Sequence, residues 1–171
     1  MVNKILQENI FQTSNEIQYP PDLTTKSYLI FYPTDGFYIS KKQHKLFTNA
    51  FTKLNMLDEV MNIDIEFLSE SDKIPSEDIR QLSNFDYSTY ESFTLLFENC
   101  IIDKKLRWSI CVYQDYWGII YGPNRLIREI SKNYDFKSDL TQFTKELLSD
   151  VNNQKIRECY IKLANASFVN I

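Results

Sequence analysis

The stretch Leu106-Arg107-Trp108-Ser109-Ile110-Cys111-Val112-Tyr113-Gln114-Asp115-Tyr116-Trp117-Gly118-Ile119-Ile120-Tyr121 decides the fold class. Two runs of aromatic and β-branched residues flank a short polar break, the composition of a β-hairpin. With Gln114-Asp115 as a two-residue loop, Val112 faces Trp117, Ile110 faces Ile119 and Trp108 faces Tyr121, all on one side. This register predicts one buried face of large pairs. It places Tyr113 and Tyr116 on the other side, either covered or displayed as contact aromatics. Gln-Asp is not the favoured Asn-Gly turn, so a loop one residue longer stays open. Gly122-Pro123 ends the second strand and opens a helix with Leu126, Ile127 and Ile130 inward.

Working outward, Ser88 and Glu91 have capping-box form, and Phe93, Leu96, Phe97, Cys100 and Ile101 follow at helical spacing, which predicts a helix over 88–101. Met61, Ile63, Ile65 and Phe67 alternate with Asn62, Asp64 and Glu66, the pattern of a strand with one wet, acidic face. The polar residues 69–86, with Pro75 near the middle, read as a loop with room for a short helical turn. Ser40 with Gln43 is another capping box, and Leu46, Phe47, Ala50, Phe51 and Leu54 give a helix over 41–55. Tyr28 to Tyr32, the turn Pro33-Thr34-Asp35-Gly36 and Phe37 to Ile39 suggest a first hairpin. Val2 to Gln12 reads as a helix, and helical stripes at Leu140, Phe143, Leu147, Leu148 and Val151, then Ile156, Tyr160 and Leu163, close the chain. Sequential hairpins favour antiparallel pairing, so the expectation is an α+β fold, an antiparallel sheet with helices packed against it, in one domain over 1–171.

Composition agrees. Hydrophobic residues are 43% of the 171 and aromatics 15%, with only 3 Gly and 5 Pro, which is enough apolar surface for a core. No run approaches a membrane span, and Met1 to Ile10 lacks the pattern of a secretory leader, so a cytoplasmic location is expected. Cys100, Cys111 and Cys159 show no C-x-x-C spacing and read as separate buried hydrophobes rather than disulfides.

The residue inventory narrows the chemistry. His44 is the only histidine and falls on the polar side of its helix, so a solvent-exposed role is expected and two-His metal sites are excluded. No nucleophile elbow is present, and Gly36, Gly118 and Gly122 spell neither a Walker loop nor a dinucleotide turn. Asp64 and Glu66 share a strand face, as a glycosidase pair or a hard-cation site would, but a solvated face explains them as well. The expectation is no catalytic residue, no metal and no cofactor. Scattered Lys and Arg argue against nucleic acid.

Charge placement is the strongest signal outside the core. Between Asp58 and Glu98, eleven carboxylates stand against Lys73 and Arg80, a net of −9, whereas the whole chain carries −4. Such a field steers a basic protein partner, with Asp58, Glu59, Asp64, Glu66, Glu70, Asp72, Glu77 and Asp78 as candidate contacts and Tyr113 and Tyr116 as candidate aromatics.

Arg107-Trp108-Ser109-Ile110, Asp115-Tyr116-Trp117-Gly118-Ile119-Ile120-Tyr121-Gly122 and the helix at Leu126-Ile127 resemble small bacterial immunity proteins of polymorphic toxin systems. In several of those families a Trp-bearing hairpin leads through a short turn into a helix. The resemblance implies a cytoplasmic protein that binds and blocks a cognate toxin domain, often by setting acidic residues against a basic nuclease cleft. The alternatives are a structural or regulatory interaction module of a bacterial or phage complex, and a carboxylate- or metal-dependent enzyme.

Overall fold

A computed structural model describes residues 12–14, 17–19, 27–64, 79–96, 98–114 and 116–150, with positions 154, 158 and 161. A short two-stranded ribbon, β1 (Gln12–Ser14) and β2 (Ile17–Tyr19), precedes the main sheet. The sheet contains β3 (Ser27–Phe31), β4 (Val60–Asp64), β5 (Arg80–Leu82), β6 (Asn99–Asp103), β7 (Ser109–Tyr113) and β8 (Trp117–Gly122). Its order is β3-β8-β7-β6-β4-β5, and every pairing is antiparallel. The helices are α1 (Lys41–Lys53), α2 (Tyr87–Ser92), α3 (Asn124–Ser131) and α4 (Phe136–Asp150). The fold is α+β. The helix expected over 2–12 lies outside the described residues up to residue 11, and Gln12 itself begins β1. The stripe at Ile156, Tyr160 and Leu163 also lies outside them.

Local signals place α1 and α3. Ser40 accepts from the Gln43 amide while the Gln43 side chain accepts from the Ser40 amide, so both orphan donors at the start of α1 are satisfied. Phe47, Ala50 and Phe51 then point inward. Pro123 caps α3, whose Leu126, Ile127 and Ile130 are buried, as their spacing required.

Both faces of the sheet are covered. On one, Leu29, Phe31, Val60, Leu82, Ile101, Ile110, Val112 and Ile120 join Trp108, Phe47, Phe51, Leu126 and Ile130 in a single core. Trp108 stacks on Phe51 with centroids 3.9 Å apart and donates its indole N–H to the Met56 carbonyl at 2.9 Å. On the other face Tyr28, Ile30, Met61, Ile63, Cys100, Ile102, Cys111, Tyr113, Trp117, Ile119 and Tyr121 are buried as well. Phe143 of α4 meets Trp117 there, with centroids 5.2 Å apart. A strand buried on both sides carries no polar alternation.

Three expectations fail for that reason. The β7–β8 register pairs Tyr113 with Trp117, Cys111 with Ile119 and Ser109 with Tyr121, one residue away from the expected one, around a three-residue loop at 114–116. Trp108 and Trp117 therefore occupy opposite faces, and Tyr113 lies on the same side as Trp117. The expected helix over 88–101 is only Tyr87–Ser92, capped by Asp86 rather than Ser88, and Asn99–Asp103 is a central strand. The Asn62 and Asp64 side of β4 is not wet, because both residues are buried. The hairpin expected at 28–39 is also corrected. Among the described residues β3 pairs with β8 alone, and the turn after it closes as an isolated bridge between Asp35 and Tyr38.

Candidate partner-binding site

The acidic residues of the sequence reading separate into different environments. Asp58 is held by Lys105 at 2.6 Å and Arg107 at 3.1 Å, and the Lys105 hydrogen bond holds its carboxyl below the usual range. Glu59 pairs with Lys104. Asp64 is buried and gripped at both oxygens by Arg80, at 2.8 and 2.9 Å, while Arg80 also donates to Asn62. Asn62 in turn donates to Asn99 at 2.7 Å. Asp64 thus belongs to a polar network inside the sheet and presents no open carboxylate. Glu66, Glu70, Asp72, Glu77 and Asp78 lie outside the described residues.

The two candidate tyrosines part company. Tyr113 is buried and stacks on Trp117, with centroids 4.1 Å apart and planes at 14°. Tyr116 is 57% exposed at the tip of the β7–β8 loop, with a φ of +62°.

Around Tyr116 the chain assembles a continuous edge. The Thr34 amide donates to the Tyr116 carbonyl at 2.7 Å, which ties the 33–38 turn to the hairpin tip. Gly36, at φ +61°, supplies the left-handed residue that lets Asp35 and Tyr38 pair across that turn. The Tyr38 hydroxyl donates to the Phe93 carbonyl at 2.5 Å and accepts from the Leu95 amide at 3.1 Å, joining the turn to the segment after α2. That segment reaches the tip again, where the Gln114 amide donates to the Glu98 carboxylate at 3.3 Å. Leu96, 65% exposed, stands on it. The helical period had placed Leu96 inward; it is outward because the helix ends at Ser92.

Carboxylates rim this edge. Asp35 and Glu91 are exposed, and their charges, after burial itself, push the Tyr87 hydroxyl above its usual value. Asp86 is held low by its Ser88 and Thr89 hydrogen bonds. None of these three forms an ion pair among the described residues. Asp86 and Glu91 were counted in the acidic segment but not singled out, and Asp35 lies outside it. Asp35 and Glu91 are brought together at Tyr87, whose hydroxyl feels both charges.

His44 is not solvent-exposed. Its Nε2 lies 2.6 Å from the Phe85 carbonyl, its ring packs edge-on against Phe85 and Tyr87, and burial lowers its pKa. A cavity of about 260 Å³ between α1 and α3 is lined by Leu46, Asn49, Ala50, Lys53, Glu129 and Asn133, and Lys53 and Lys132 already hold its carboxylate. Among the described residues no group of three or more His, Cys, Asp or Glu could hold a metal ion, and no helix is long and apolar enough to cross a membrane. Cys100 and Cys111, read from the sequence as separate hydrophobes, are cross-strand neighbours. Compared with known protein families, with curated proteins and with solved structures, the chain matches none of them.

Proposed function

We propose that this chain is a binding protein of the immunity type, which neutralises a basic toxin or nuclease domain by docking it against the edge around Tyr116. The observation that carries this reading is the backbone of Tyr116. A bulky L-residue in the left-handed region costs about 1–2 kcal/mol. Asn55 and Asn84 share that conformation with a residue type that tolerates it, Phe85 offsets the cost by complete burial, and Leu106 is half-buried at the β6–β7 turn. Tyr116 gains no such packing. An exposed aromatic ring held at that cost is what a contact anchor requires, since Tyr is enriched among residues that dominate interfaces.

Leu96 adds a second exposed apolar side chain on a segment tied to this edge, and Asp35 and Glu91, whose charges both reach Tyr87, supply negative charge that a basic partner would meet. Asp58 and Glu59 hold cations of their own, so docking on them would displace existing ion pairs. Among the described residues the rim carboxylates carry no such competition.

A photo-reactive phenylalanine at position 116, introduced in the producing cells, tests the reading. It should cross-link one basic protein, and Tyr116→Ala should weaken the purified complex at least about tenfold, or ~1.4 kcal/mol, at unchanged melting temperature. A partner that cross-links only from the distant position Asn49, in a complex indifferent to Tyr116→Ala, would move the surface elsewhere. No cross-link from either position, or from Lys104 and Leu96, would remove the binding role.

A further inference from the structure

Cys100 and Cys111 are direct partners across β6 and β7, project from the same sheet face, and are both fully buried with their sulfurs 3.2 Å apart. Directly opposed residues of an antiparallel pair have Cα atoms about 4.5 or 5.5 Å apart, and both spacings fall within the range a disulfide accepts. Rotation about the two Cα–Cβ bonds is then nearly all the motion that bond formation needs. We propose that Cys100 and Cys111 are a redox-convertible latch on the sheet, a dithiol that a small-molecule disulfide converts into a cross-strand disulfide without changing the β6–β7 register.

The chemistry balances as thiol–disulfide exchange. One deprotonated cysteine attacks the small disulfide, whose S–S bond breaks and releases one thiolate. The second cysteine attacks the protein sulfur of the mixed disulfide, forms the Cys100–Cys111 bond and expels the second thiolate. Two protein thiols are oxidised, one small disulfide is reduced to two thiols, and the protons end on those products.

Burial sets the kinetics. It pushes the Cys100 thiol well above its usual range, the adjacent Cys111 thiol pushes the same way, and the buried Ser109 hydroxyl opposes them only in part. The attacking thiolate is therefore scarce in the closed sheet, and exchange must wait for β6 and β7 to open. The same covering protects the disulfide from reductant once formed. The latch is set when the sheet forms or opens and then keeps its state.

The test uses the full chain carrying Cys159→Ser, or Cys159→Ala if the first folds poorly, so that only this pair can react. Denatured and refolded over oxidised glutathione, the protein should become lighter by two hydrogens, retain no glutathione, and melt about 5–10 °C higher than its reduced form. Folded and reduced, it should react at least about tenfold faster in sub-denaturing urea than in buffer. Retained glutathione or disulfide-linked dimers after refolding would overturn the proposal, as would an internal disulfide that lowers the melting temperature. Rapid oxidation in buffer alone would overturn the gating.

Discussion

Trp108 and Trp117 flank one hairpin yet project from opposite faces of the sheet, Trp108 onto Phe51 and Trp117 between Tyr113 and Phe143. Among the described residues they share no ring neighbour. Trp108→Phe and Trp117→Phe should each cost about 1–3 kcal/mol, and the double variant should equal their sum to within about 0.5 kcal/mol. Urea denaturation of the four proteins measures this. A coupling well beyond that margin would mean that the two rings share a core.

Gly118 is required by Phe31, its partner on β3. A Cβ built at 118 would stand 2.2 Å from the Phe31 ring and 2.8 Å from the Cys111 carbonyl. The ring is fully buried and has nowhere to retreat. Gly118→Ala should therefore destabilise by about 1–3 kcal/mol, and adding Phe31→Leu should recover part of it. Equal melting temperatures for wild type and Gly118→Ala would contradict the close approach.

Arg107 joins the β6–β7 turn to the end of α1. Its guanidinium donates to both oxygens of the fully buried Asp103, at 2.7 and 2.8 Å, and to the Met56 carbonyl at 3.0 Å. Arg107→Met leaves the Asp103 carboxylate without its cation and should cost about 3–4 kcal/mol. Adding Asp103→Asn should then return stability rather than remove more. Its exposed neighbour Asp58 should matter far less, so Asp58→Asn is expected to shift the melting curve very little.

His44 makes stability depend on acid. Burial lowers its pKa, whereas in the unfolded chain it titrates near its ordinary 6.5. The unfolded state therefore binds this proton first. The contribution of the neutral ring is fully present above about pH 6.5 and is lost progressively as pH falls toward the depressed folded value, with a slope of at most about 1.4 kcal/mol per pH unit. His44→Gln, which can still donate to the Phe85 carbonyl, should flatten that limb between pH 7 and 5. Chemical denaturation across this range decides, and identical slopes in the two proteins would assign the acid sensitivity to other groups.

Tyr116 should separate stability from recognition. Tyr116→Gly removes the left-handed strain and exposes no core, so the melting temperature should stay level or rise, by up to about 1 kcal/mol of stability. A clear loss of stability would mean that the ring supports the fold, and its reading as a contact anchor would fail with it.

What the sequence determined by itself was local. The Ser40–Gln43 box, the stripe at Phe47, Ala50 and Phe51, and the helix after Pro123 each depend on side chains within a few residues, and the structure follows them. The two strands of the 109–122 hairpin and the α+β class were legible too, from β-branched and aromatic runs around a polar break. Register, sheet order and the candidate site were not. Register is written in alternation only when one face of a strand is wet, and here Tyr113, Trp117 and Ile119 are as buried as Ile110, Val112 and Ile120. The run from Phe93 to Ile101 fits a helical period, yet Asn99–Asp103 becomes a strand because β4 and β7 hydrogen-bond to both of its edges. The edge around Tyr116 joins Thr34, Tyr38, Leu95 and Gln114 through hydrogen bonds between segments far apart in the chain. Such long-range pairings are set by which surfaces remain to be covered once the local elements have formed, and that is decided only when the chain packs.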